Sequence, residues 1–172
     1  MAEEPAEEPT QGPAEEPAQE PVDLLRLEGD GSCVALRISG ATGGEGRGGG
    51  RARALVGEFV VETGFVRGRL ATWVFATDLQ TWQEALDALD AGHDVAWREG
   101  QRAPELRIER GEESVGDAGR CRVSVRDPAM SLTTVTVTVP LPDAWFDDAY
   151  RRLELVRETW PLDQPGAHAD RT

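Results

Sequence analysis

The run from Asp78 to Gly92, DLQTWQEALDALDAG, constrains this chain most, because it reads as one amphipathic helix between strand-like segments. Leu79, Trp82, Leu86 and Leu89 recur at spacings of three and four and share a face with Ala85. Asp78 is placed to accept the free N–H groups of the first turn, and Gly92 to take the left-handed conformation that ends it. A helix with a single apolar stripe needs an apolar layer to cover, and the flanking segments alternate with period two. The expectation is a sheet sealed by a helix over 78–91.

Leu24, Leu25 and Leu27 precede Glu28-Gly29-Asp30-Gly31, a hairpin turn signal, and Cys33–Ile38 reads as the next strand. Leu55–Glu62 and Phe65–Phe75 follow, joined at Thr63-Gly64. In the second of these Val66, Leu70, Thr72 and Val74 point one way, and Arg67, Arg69, Ala71, Trp73 and Phe75 the other. Apolar groups on both faces near Trp73 suggest a central strand. Beyond the helix, Val95–Trp97 and Leu106–Ile108 are short strand candidates; Arg120–Arg126 and Leu132–Val139 are longer ones with one dry and one wet face. Pro140, Leu141, Pro142 and Asp143 stop the last strand and open a helix whose stripe is Trp145, Ala149, Leu153, Val156 and Trp160. The expected fold is α+β: one antiparallel sheet of about seven strands, a helix inserted at 78–91 and a C-terminal helix at 143–160.

The domain runs over 22–161. Residues 1–21 repeat AEEP and AQEP, hold seven Glu and no basic residue, and read as a disordered acidic tail. Gly40 to Gly50 is glycine-rich and reads as a flexible loop, and 162–172 as a second disordered tail.

Net charge is −14, half of it in that first segment, so non-specific nucleic-acid binding is disfavoured and a basic protein is the expected partner. Arg47, Arg51 and Arg53 make one basic spot beside the glycines, without the interleaved aromatics that stack on bases. All eighteen basic residues are Arg, which points to a high-GC genome rather than to a function. Cys33 and Cys121 read as free thiols of a reducing compartment, and with neither a basic-then-apolar leader nor a membrane-length apolar run the expected location is the cytoplasm.

No serine-hydrolase elbow, zinc-protease motif, paired-cysteine motif or phosphate-loop motif is present. His168 sits in the C-terminal tail. His93 beside Asp94 reads as a turn histidine, although such a pair is also able to move protons. Asp143, Asp147 and Asp148 suit a helix N-terminus, and Glu112 and Glu113 a solvated loop. No metal, cofactor or catalytic residue is assigned. Trp73 and Trp97 lie on strands and either pack under a helix or stand exposed as partner anchors.

The order of signals resembles a known pattern: a strand ending near Trp73, D-L-x-x-W-x-x-A-L-x-x-L-x-x-G at 78–92, P-E-L-R-I-E at 104–109, a Val/Thr strand, and W-F…L…W-P at 145–161. It resembles a family of small uncharacterised actinobacterial proteins, a domain of unknown function, and is distantly similar to immunity proteins that protect against WapI-like toxins. The resemblance covers about 22–161, rests on core positions and transfers no catalytic residue. It implies a non-catalytic protein-binding module, immunity-like, whose acidic surface meets a basic partner. The partner-binding candidates are Trp73, Trp97, Arg67 and Arg69. The alternative is a small-ligand binder or enzyme with a carboxylate and arginine pocket on the sheet.

Overall fold

The computed structural model describes residues 20–43, 53–111 and 119–162, which hold eight strands and two helices. The acidic repeat up to residue 19, the glycines from 44 to 50, Arg47, Arg51, Glu112, Glu113, His168 and the segment 163–172 lie outside the described residues. Strands β1 (Val22–Gly29), β2 (Ser32–Thr42), β3 (Ala54–Glu62) and β4 (Arg67–Val74) pair antiparallel in chain order. Helix α1 (Ala76–Asp90) follows. Strands β5 (Val95–Trp97), β6 (Glu105–Arg110), β7 (Arg120–Arg126) and β8 (Thr134–Pro140) then form a second antiparallel sheet in chain order, and α2 (Ala144–Thr159) closes it. The expected single sheet is therefore two four-stranded sheets, and the molecule builds the same order, four strands and a helix, twice. The periodicity that marks a strand does not say which strand it pairs with, and α1 separates β4 from β5 so that each becomes a sheet edge.

One apolar core draws on both sheets and both helices, including Leu36, Phe59, Leu86, Trp97, Val123, Val139 and Leu153. A bulge between Asp23 and Leu25 lets the consecutive Leu24 and Leu25 both be buried. Asp30 and Gly31 both take positive φ, 53° and 75°, which closes the β1–β2 hairpin in two residues. The end of this hairpin meets β8: Gly29 approaches the Pro140 ring so closely that an added Cβ would lie 2.5 Å from Pro140 Cδ. Arg120 Nη1 donates to Asp30 Oδ2 across the same junction, at 2.6 Å.

Several boundaries differ from expectation. β2 continues through Gly40 to Thr42, paired with Ala54–Val56, so the first three residues assigned to a flexible loop are strand. Phe65 and Leu132 lie in hairpin turns, 97% and 70% exposed. Leu162, assigned to a disordered tail, is buried against the core. α1 begins two residues early because Asp78 does not stand before the helix: it sits in the first turn and its Oδ2 accepts the N–H of Phe75 at 2.9 Å. Gly92 does end it, at φ 94°, with Gly92 N–H bonded to Leu89 O and His93 N–H to Ala88 O, both at 3.0 Å. α2 docks on β1 through Trp145 Nε1, which donates to Arg26 O at 2.7 Å. It docks on α1 through Tyr150 Oη, which donates to Asp87 Oδ1 at 2.7 Å. Cys33 and Cys121 are free thiols in different sheets. No described helix is long and apolar enough to cross a membrane.

Candidate protein-interaction site

β4 is an edge strand, with β3 its one strand neighbour among the described residues, and not the central strand expected. Alternation sends Leu70, Thr72 and Val74 toward the core and Arg67, Arg69 and Trp73 outward. Trp73 is 60% exposed and Phe75, two residues on, 49% exposed. Arg69 Nη1 donates to Glu58 Oε1 across the strands at 3.0 Å, and Arg67 Nε stands 3.7 Å from Glu62 Oε1. Both guanidinium groups are well exposed, so water screens these pairs and leaves them nearly free to exchange partners. Three of the four residues singled out from sequence thus share one outward face.

Trp97 does not. It is 2% exposed, packed edge-on to Phe59 and tilted against Trp82. Its indole N–H donates to Asp78 O at 3.0 Å and Thr81 Oγ1 at 3.1 Å. β5 lies beneath α1, so both large side chains of this three-residue strand point into the core.

Beneath Trp73 lies a buried charged network. Arg98, just past β5, has a positive φ of 65° and is almost fully enclosed. Its Nη1 donates to Thr72 Oγ1 and its Nη2 to the carbonyl of Trp73, each at 2.9 Å. Its Nε stands 3.6 Å from Asp78 Oδ1 and has no hydrogen-bond partner among the described residues. The guanidinium carbon is 5.1 Å from the Trp97 ring centroid. Burial pulls the Arg98 pKa down and the Asp78 charge pulls it back up, yet arginine stays a cation. Asp78 therefore has two tasks, countering Arg98 and holding the Phe75 amide. The main chain is gripped at Trp73 C=O and at Phe75 N–H, which fixes how the two exposed aromatics are presented. Sequence reasoning missed Arg98, since an arginine after a three-residue strand in WREG carries no signal that separates it from a solvated turn residue.

A groove of about 390 Å³ runs beside this network between α1 and β5, lined by Thr81, Glu84, Ala85, Trp97, Arg98 and Glu99. Glu99 Oε1 accepts from Arg107 Nη2 at 2.6 Å. α1 carries Asp78, Glu84, Asp87 and Asp90 and no basic residue, while β7 carries Arg120, Arg122 and Arg126 and no carboxylate. α1 is thus net negative beside the groove, and β7 net positive.

The other sequence candidates have local roles. Asp94 Oδ1 accepts the Arg110 N–H at 2.8 Å, and the His93 ring faces Ala88 O at 3.3 Å, so the two are not aimed at a common atom. Asp148 is held by Arg151 and Arg152. Among the described residues no three His, Cys, Asp or Glu side chains come together to hold a metal ion.

A family model described as "Family of unknown function (DUF5959)" matches residues 22–161, the span from β1 to the end of α2. No curated protein and no solved structure matches the chain.

Proposed function

The chain belongs to this family of unknown function, and from that premise we infer that it is a non-catalytic protein-binding module that docks a basic partner at the β4–α1 corner. The observation that carries this reading is the exposed pair Trp73 and Phe75 on a main chain clamped by buried Arg98 and Asp78. Large aromatics presented on a rigid backbone anchor interfaces at low entropic cost. Arg67 and Arg69 supply an adaptable polar rim. Glu84 and Glu99 at the α1–β5 groove supply carboxylates for a lysine or arginine of the partner. A basic toxin-like domain neutralised by an immunity-like protein is the concrete case in which such a surface serves.

The test uses the full chain as bait in its native cell, with Trp73→Ala beside the wild type. A partner is expected whose domain is basic, whose retention falls as salt rises, and whose affinity drops by about 2 kcal/mol or more, roughly thirtyfold, on truncation of Trp73. A complex held equally well without the indole, or one indifferent to salt, overturns the reading.

A further inference from the structure

The two sheets do not fill the space between them everywhere. At the end of the molecule formed by the β3–β4 and β7–β8 hairpins a slot of about 190 Å³ remains, lined chiefly by Phe59, Val61, Leu70, Val125 and Val135. One reason for the room is Gly68. It is paired with Val61, it also lines the slot, and a Cβ built there would meet nothing within 4 Å. The valines of the second sheet are too short to reach across. The slot opens to solvent at the hairpin end and is apolar within. Its volume is comparable to that of the ~150 Å³ apolar cavities that take up benzene, although the slot is open at one end.

The rim extends the apolar character outward. Phe65 is the neighbour of the slot residue Val66, and Met130 and Leu132 flank the slot residue Ser131; all three are largely exposed. The charge at the mouth disfavours an anion. Asp127 accepts the N–H groups of Ala129, Met130 and Ser131 and the Ser131 hydroxyl, so its oxygens serve its own turn. Exposed Arg69 stands beside Glu58. One guanidinium against two carboxylates leaves the mouth net negative.

We propose that this slot is a binding site for an uncharged apolar small molecule, the size of a medium-length alkyl chain or a bicyclic aromatic. The site is distinct from the β4–α1 corner: its apolar lining faces inward between the sheets, whereas Trp73 faces outward, and only Arg69, at the mouth, borders both.

The experiment titrates the full chain with N-phenyl-1-naphthylamine, an uncharged dye that brightens in apolar surroundings. Saturable binding is expected, displaced by 1-octanol and at least tenfold less effectively by octanoate. Gly68→Leu, which places a side chain in the gap, is expected to weaken dye binding at least tenfold while leaving the melting temperature at or above that of the wild type. Val135→Leu enters the slot from the opposite sheet and decides the matter if the first variant does not fold. Trp73→Ala should bind dye as the wild type does, which separates this site from the docking surface. Absence of saturable binding, or unchanged affinity in the folded slot variants, overturns the proposal. Octanoate competing as well as octanol overturns its restriction to uncharged ligands.

Discussion

The molecule makes the passage from a four-stranded sheet into a helix twice, and holds the two passages by opposite means. At the first, β4 turns into α1 through Phe75, and Asp78 and Arg98 lock the chain on both sides, with Arg98 reaching in from the other half of the molecule. At the second, β8 turns into α2 through Pro140-Leu141-Pro142-Asp143 with no side-chain cap among the described residues. There no buried charge is involved: proline rings fix the approach, Trp145 N–H bonds to Pro142 O at 2.9 Å, and the long-range ties are neutral, Leu141 N–H to Gly119 O at 2.6 Å and Trp145 Nε1–H to Arg26 O at 2.7 Å. A long-range clamp can carry strain and buried charge, and so can present exposed groups in a chosen geometry. A proline turn tied by neutral bonds and buried rings joins the two elements and turns its aromatics inward. The aromatics that stand out in water sit at the clamped corner, while Trp145 and Phe146 at the proline corner are buried.

The largest effect that would break this contrast is at Asp78. Asp78→Ala leaves Arg98 buried without a countercharge and the Phe75 amide uncapped, and should cost about 3–5 kcal/mol in denaturant unfolding. Asp143→Ala, at the residue before α2, whose side chain makes no capping hydrogen bond, should change stability by no more than about 0.5 kcal/mol. Equal costs at the two positions would show that the corners are not held differently. Replacing the buried pair together, as Asp78→Leu with Arg98→Met, should recover the part of the loss due to the uncompensated charge, but not the part due to Phe75 N–H and the Trp73 carbonyl losing their partners.

A smaller effect is expected at the proline corner. Pro142→Ala should lower stability by about 0.4–1 kcal/mol, acting by widening the unfolded ensemble rather than by removing a contact. Urea unfolding with an unchanged slope and a lower midpoint is the expected signature.

How far the corners were legible in the sequence follows from the same contrast. The proline corner could be read from four consecutive residues, and the α2 stripe with it. At the clamped corner Asp78 was legible only as a residue that starts a helix, and Arg98 not at all, because the two are twenty residues apart and meet only once α1 has folded over β5. The candidate surface was half legible. Alternation placed Arg67, Arg69 and Trp73 on one side of a strand, but whether that side faced water depended on the second sheet and the helices covering the other side. Trp97 carried the same alternation signal and became core.

The smallest effect compares the two hairpins that frame the slot. The β3–β4 turn is held by Thr63, whose Oγ1 accepts the N–H groups of Phe65 at 3.1 Å and Val66 at 2.7 Å. The β7–β8 turn is held by Asp127, whose pKa is drawn down to about 2, first by the Ser131 N–H and then by Met130 N–H, the Ser131 hydroxyl and Ala129 N–H. The folded value lies below the ordinary carboxylate value, so this contribution is complete above about pH 4 and is lost as pH falls through about 2. Amide exchange corrected for intrinsic rates should show the 129–131 amides losing protection between pH 5 and 2 while those of Phe65 and Val66 do not. Parallel loss in both turns would mean that global unfolding, not Asp127, sets the acid limit.

By itself the sequence determined the parts: where strands alternate, where Leu79, Trp82, Leu86 and Leu89 make a helix stripe, where Gly92 ends it. These follow from interactions that span a few residues, which local order alone specifies. Only the tertiary structure decided that the strands divide into two sheets, that β4 is an edge with Trp73 in water, and that Arg98 reaches across to hold it. Those outcomes depend on which distant surfaces bury each other, and a one-dimensional pattern does not contain that choice.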